Sequence, residues 1–179
     1  MGASDLLRTS LLKLSTQHVV RDTIEKAPVS RSVVRRFVPG SRTEDAVDAV
    51  GALRGTGRLA TIDYLGEDTL DLAQARATRD AYLNLLAQLS AREYTEGGAA
   101  EVSVKLSALG AALPGDGPAI ALEHAREICQ SATLVGTTVT VDMEDHTTTD
   151  ATLEAVRELR RDFPTTGVVL QAYLHRTEA

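Results

Sequence analysis

Cysteine is almost absent from this 179-residue sequence, and long apolar runs and an excess of positive charge are absent as well. The single Cys129 cannot form an internal disulfide, and its helical surroundings indicate a small buried apolar residue. No apolar run approaches the roughly 20 residues of a membrane-spanning helix, and the N-terminus lacks the apolar core of a signal peptide. A net charge of -6 argues against a nucleic-acid-binding surface. We therefore expect a cytoplasmic protein without a nucleic-acid partner.

Several common site motifs are also missing. The sequence contains no glycine-rich dinucleotide fingerprint, no Walker loop and no His/Cys spacing typical of a zinc site. Hydrophobic residues at 43% and charged residues at 25% are the composition of a soluble globular protein. Any function must therefore come from side chains that the fold brings together from separate parts of the chain.

Four strands are predicted at regular intervals after residue 58. They begin near residues 59, 101, 137 and 167, and helices are predicted between them over about 69–92, 119–132 and 152–163. This spacing is typical of strand and crossover-helix units in a parallel sheet. Upstream, we predict helices over 5–28, 30–37 and 43–54, the last of them capped by Thr43.

Each predicted strand is more apolar on one face than on the other. If the apolar faces pack on helices, the opposite faces converge as Asp63, Lys105, Asp142 and Gln171. Central strands of a doubly wound sheet are apolar on both faces, so this pattern favours an α/β fold of the (β/α)8 TIM-type barrel. Only the first four units are present, and we expect an N-terminal helical segment over 1–58 and the first half of a barrel over 59–179.

Lys105 is a cation in a stretch, EVSVKLSALG, that otherwise reads as a buried strand. Residue types alone leave three interpretations open. Lys105 can bind a substrate carboxylate with Asp142 fixing its position, or it can be a Schiff-base nucleophile as in barrel aldolases. The third interpretation is a structural ion pair between Lys105 and Asp142.

The blocks ATIDYLGE, VSVKLSALG, VDMEDHTTTD and VVLQAYLHRTEA resemble, in this order, the first four strand blocks of a bacterial family. That family is the monofunctional, FAD-dependent proline dehydrogenases. The resemblance implies a distorted (β/α)8 barrel that oxidises L-proline to 1-pyrroline-5-carboxylate and passes electrons to a membrane quinone. It also implies peripheral contact with the inner face of the membrane and pyrroline-5-carboxylate dehydrogenase as a partner.

The resemblance also implies roles for single residues. Lys105 matches the lysine that contacts the proline carboxylate, and Asp142 matches the active-site aspartate beside the substrate. Met143 matches a residue that touches the flavin through its backbone, and Gln171 matches a glutamine that hydrogen-bonds the isoalloxazine ring. Asp63 matches an aspartate with a supporting role.

Two further expectations complete the interpretation. Glu144, Asp145 and His146 superficially resemble a metal cluster, but neighbours at a strand end point apart, so we expect a solvated loop and no metal site. The later strands of the family have no counterpart in the 179 residues. We therefore expect this chain alone to be inactive and to behave as an incomplete half barrel.

Overall fold

A computed structural model describes residues 38–66 and 69–178. The helices predicted over 5–28 and 30–37 lie outside these residues. The chain divides into two compact units, residues 1–41 and 42–179, and the elements below all belong to the second unit. The predicted division at residue 58 into a helical segment and a barrel half stays a prediction.

Helices and strands alternate along the described part of the second unit. They are α1 (Thr43–Arg54), β1 (Ala60–Asp63), α2 (Leu72–Ala91), β2 (Ala100–Val104), α3 (Gly117–Leu134), β3 (Val139–Val141), α4 (Thr149–Asp162) and β4 (Gly167–Val168). A short 3-10 helix, Glu96–Gly98, lies between α2 and β2, and another, His175–Glu178, lies after β4. Within the described residues the strands form one sheet in the order β1-β2-β3-β4, and each neighbouring pair is parallel. The predicted parallel sheet is confirmed.

The apolar face of the sheet packs on the helices, as the alternation predicts. The valines of β2 and β3 are fully buried and share one core with apolar side chains of α1, α2, α3 and α4. Burying each such side chain stabilises the fold by roughly 1.5 to 3 kcal/mol. This face therefore anchors the strands, and the opposite face is left to carry polar groups. None of the described helices has the length and apolarity needed to cross a bilayer.

Helix α1 begins where predicted but is capped differently. Its N-cap residue is Arg42 rather than Thr43. The backbone N–H of Arg42 donates to Asp45 Oδ2 at 3.2 Å, and the guanidinium binds the same carboxylate. An acid at the third helical position can satisfy the N-cap donor in this way, so the predicted cap was one residue too late.

Strand β4 begins at residue 167 as predicted and is only two residues long. It pairs with β3 over Gly167 and Val168 only, and Val169 N–H adds one further bond to Val141 O at 2.9 Å. Beyond that point Leu170 is 55% exposed and Tyr173 is 81% exposed, so the expected packing of an apolar strand face on the helices was wrong for this segment. In the described residues β4 has β3 as its single neighbour. A strand with one neighbour has fewer ladder bonds to extend it.

Candidate active site

Polar side chains of three strands meet at the carboxyl end of the sheet. The register pairs Asp63 with Ser103 and Ser103 with Thr140. Lys105 and Asp142 each follow these positions by two residues, so they share the face opposite the core. Of the four side chains predicted to converge, Asp63, Lys105 and Asp142 lie together on this face. Gln171 does not lie on a strand and reaches the strand ends from the segment after β4.

The ammonium of Lys105 lies between two carboxylates. Its Nζ donates to Asp63 Oδ2 and is 3.6 Å from Asp142 Oδ2. The side chains of Lys105, Asp63 and Asp142 are 17%, 29% and 25% exposed, so water screens the charges only in part. Asp63 is thus the primary partner, although sequence reasoning gave that place to Asp142. Two adjacent carboxylates favour the protonated amine, which disfavours the Schiff-base interpretation.

Tyr82 of α2 reaches this cluster from the helix layer. Its buried hydroxyl donates to Ser103 O at 2.6 Å, contacts Asp63 Oδ1 at 3.2 Å and accepts the N–H of Tyr64 at 3.0 Å. Burial raises the pKa of Tyr82 far above its usual range, and the nearby Asp63 carboxylate adds to this effect. The phenol is therefore a neutral donor. Helical spacing places Tyr82 in the core and does not reveal this polar role. The available signal is that a buried phenol requires a hydrogen-bond partner.

Asp142 has its own hydroxyl donor. Ser103 Oγ donates to Asp142 Oδ1 at 2.6 Å, and Ser103 is itself buried. One carboxylate oxygen is therefore held by β2 while the other faces Lys105. Charge-assisted bonds of this length are the stronger kind, so the orientation of Asp142 is well defined.

Glu144 lies in the site, so its assignment to a solvated loop was wrong. Its carboxylate accepts the backbone N–H of Ser107 at 3.0 Å and also the Ser107 hydroxyl. The turn after β2 needs an acceptor for that N–H, and a half-buried carboxylate satisfies it. Asp145 and His146 are exposed, as expected. In the part of the chain that the structure describes, no group of His, Cys, Asp and Glu side chains is arranged to hold a metal ion.

Gln171 bridges the strand ends from the segment after β4. Its Nε2 donates to Met143 O at 3.1 Å and to Glu144 O at 3.2 Å. Both amide protons are used, so the carbonyl orientation is defined. Gln171 Oε1 is buried, and it has no hydrogen-bond partner among the described residues. Leaving such an acceptor without a donor costs roughly 1 to 3 kcal/mol, so this atom points to a ligand.

A cleft of about 640 Å³ opens beside the cluster. Lys105, Asp142 and Met143 line it at the sheet, and Ala121 of α3 and Ala151 of α4 belong to its apolar wall. Concave sites with a mainly apolar lining and a few convergent polar groups are typical of small-molecule binding.

The sheet is parallel, helices connect its strands, and charged side chains lie just beyond the carboxyl ends of the strands. This arrangement defines an α/β protein of the barrel type, because active sites of barrels form at the carboxyl ends of the strands. The family model for proline dehydrogenase matches residues 46–179. The chain therefore belongs to the proline dehydrogenase family.

Individual relatives agree with this assignment. Proline dehydrogenase 1 of Bacillus subtilis (strain 168) is 34% identical over 171 residues, which cover 96% of this chain and 54% of that protein. Proline dehydrogenase of Deinococcus radiodurans is 36% identical over 148 residues, which cover 82% of this chain and 46% of that protein. The chain thus spans about half the length of these relatives.

The fold agrees with a solved structure as well. Proline utilization A from Bdellovibrio bacteriovorus superposes with a TM-score of 0.74 at 25% identity, over 83% of this chain and 18% of that chain. The four parallel strands described above match the TIM-barrel-like fold of that neighbour. The fold class predicted from the sequence is confirmed.

Proposed function

We propose that this chain supplies the substrate-carboxylate and flavin contacts of an FAD-dependent proline dehydrogenase. The reaction is the oxidation of L-proline to 1-pyrroline-5-carboxylate, with the electrons passed to a quinone. The observation that carries the proposal is the position of Lys105, partly buried between Asp63 and Asp142 and lining a cleft at the carboxyl end of the sheet.

The charges of this cluster suit a zwitterionic amino acid. An ammonium group has three protons, so Lys105 can bind a substrate carboxylate while it remains close to the two aspartates. Asp63 and Asp142 together outweigh the lysine by one negative charge, which favours a substrate that also carries a cationic amine. Asp142 is oriented by Ser103 and is the group best placed to meet that amine.

The residues present also fit a flavin. The isoalloxazine ring carries one N–H between two carbonyl groups, and the unpartnered Gln171 Oε1 is a buried acceptor that suits such a donor. Gln171 Nε2 donates to the carbonyl of Met143, which holds the Met143 backbone, the proposed flavin contact, beside the Gln171 amide. FAD, when bound, supplies the acceptor for the hydride that leaves C5 of proline. The chain's own part is to orient the ring and the substrate and to exclude water.

The inactivation of a structural neighbour supports the amino-acid substrate. The Bdellovibrio bacteriovorus protein was inactivated by N-propargylglycine in its crystal structure. That compound is an amino acid with a secondary amine, and proline also has a secondary amine. We take this as support for a site that accepts a carboxylate and a secondary amine together.

The partners and location follow from the chemistry of the proposed reaction. A quinone acceptor resides in the bilayer, so we propose a cytoplasmic protein with peripheral contact at the inner face of the membrane. The product is an oxidisable cyclic imine, and pyrroline-5-carboxylate dehydrogenase is the proposed consumer.

The test is flavin retention and L-proline-dependent dye reduction by the purified full-length protein after addition of FAD. Lys105→Met should retain FAD and lose proline use. Arg157→Met, which removes an exposed cation on α4, should change neither property. Absence of both flavin retention and dye reduction in the unaltered full-length protein would overturn the proposal. Retained flavin without turnover in the 179-residue chain would support the half-barrel alternative, and a borohydride-trapped adduct at Lys105 would support the aldolase.

A further inference from the structure

We propose that Tyr82 is a positioning residue that holds Lys105 in place through Asp63. This inference rests on the proposed role of Lys105 in binding the substrate carboxylate. Tyr82 itself lies in the helix layer and is buried, so it acts on the site through its neighbours.

One phenol oxygen joins the two strand ends that carry the ion pair. The N–H of Tyr64, the residue directly after Asp63, donates to it at 3.0 Å. The same oxygen donates to Ser103 O at 2.6 Å, two residues before Lys105. Tyr82 therefore fixes the spacing between the end of β1 and the end of β2, and that spacing sets how Asp63 meets Lys105.

The carboxylate of Asp63 is also held at both oxygens. Its Oδ1 contacts the Tyr82 hydroxyl at 3.2 Å, and its Oδ2 accepts from Lys105 Nζ. The single phenol proton is shared between Ser103 O at 2.6 Å and Asp63 Oδ1 at 3.2 Å, and this shared hydrogen bond limits the rotation of the carboxylate. The direction in which Lys105 presents its ammonium thus depends on a hydroxyl that does not touch the lysine.

The hydroxyl is not needed for packing. The Tyr82 ring is part of the main core and lies 6.2 Å from the Tyr64 ring, contacts that phenylalanine would preserve. Phenylalanine would leave the Tyr64 N–H and the Ser103 carbonyl without this partner. The polar contacts are therefore what distinguishes tyrosine from phenylalanine at this position.

Lysine NMR tests this proposal without relying on enzyme activity. The sequence has three lysines, Lys13, Lys26 and Lys105, so ¹³Cε-labelled lysine gives three signals, and Lys105→Arg assigns the third. Tyr82→Phe should shift the Lys105 signal and speed hydrogen exchange of the Lys105 ammonium group. With FAD present, the affinity of the Tyr82→Phe variant for L-proline should be roughly three- to ten-fold lower than that of the unaltered protein, as for one lost hydrogen bond.

The matched control is Thr95→Val. Thr95 is buried and donates to Val135 O at 2.6 Å, near the amino ends of β2 and β3. Its loss should destabilise the fold without moving the Lys105 signal. An unchanged Lys105 signal in folded Tyr82→Phe, or an equal shift in Thr95→Val, would overturn the positioning role.

A double-mutant comparison tests whether the effect passes through Asp63. In an Asp63→Asn background, adding Tyr82→Phe should produce no further change of the Lys105 signal. An additive change would overturn the relay. If Tyr82→Phe fails to fold, 3-fluorotyrosine keeps the ring and alters the phenol, and the Lys105 signal must then move. A Lys105 shift in a protein that binds no proline would uphold the positioning role and refute the proposed function.

Discussion

Replacing Lys105 with methionine removes the cation and keeps a side chain of similar length. In the structure the Lys105 ammonium donates a hydrogen bond to Asp63 and lies 3.6 Å from Asp142 Oδ2. Methionine leaves two carboxylates facing each other across an apolar side chain. Each carboxylate still contacts a hydroxyl group, because the Tyr82 hydroxyl contacts Asp63 and the Ser103 hydroxyl donates to Asp142.

The expected loss of stability follows from these contacts. A charge-assisted hydrogen bond contributes roughly 1.5 to 3 kcal/mol, and breaking a fully buried pair costs roughly 3 to 5 kcal/mol. Asp63 and Asp142 are 29% and 25% exposed, so water replaces part of the lost interaction. We therefore expect a free energy of unfolding lower by about 2 to 3 kcal/mol, or a Tm lower by roughly 4 to 12 °C.

Urea unfolding followed by circular dichroism measures this loss. A second variant, Lys105→Met with Asp63→Asn, removes one of the stranded charges and should recover about 1 kcal/mol. Arg157→Met removes an exposed cation and should stay within about 0.5 kcal/mol of the unaltered protein. A loss below about 0.5 kcal/mol for Lys105→Met would refute the reasoning, because the ion pair would then behave as a solvated surface pair.

Three further predictions concern other residues of the fold and site. The raised pKa of Tyr82 means that the native state keeps a proton which the unfolded state loses above about pH 10, so stability should fall as pH rises beyond that value and Tyr82→Phe should flatten the decline in urea unfolding. Glu144→Gln keeps one acceptor for Ser107 but loses the charge, and it should lower the free energy of unfolding by roughly 1 to 2 kcal/mol, whereas the exposed Glu154→Gln should not. Cys129 is buried, and burial raises its thiol pKa, so iodoacetamide should label it only on unfolding; rapid labelling of native protein, detected by mass spectrometry, would contradict its position in the core.

The sheet could be predicted because one of its faces is apolar and the other is polar. Val102 and Val104 are buried against helices while Ser103 between them faces the other side, and that alternation is visible in the sequence. The length of β4 could not be predicted, because it depends on how many neighbouring strands pair with it.

The site could be predicted as a set of residues but not as a set of contacts. Alternation placed Asp63, Lys105 and Asp142 on one face. Which of the two carboxylates lies nearer to the Lys105 ammonium depends on side-chain directions, and alternation does not determine them. Tyr82 comes from the helix layer, where helical spacing indicates only burial. Glu144 enters the site because the turn after β2 needs an acceptor, a requirement that appears only when two strand ends are side by side.

The central claim is that Lys105 receives the carboxylate of proline, and lysine NMR with FAD present tests it most directly. L-proline should shift the Lys105 ¹³Cε signal in a saturable way. Prolinamide has the same ring and amine but no carboxylate, so it should bind more weakly by roughly ten-fold or more. Equal shifts of the Lys105 signal by proline and prolinamide, at equal affinity, would contradict the account.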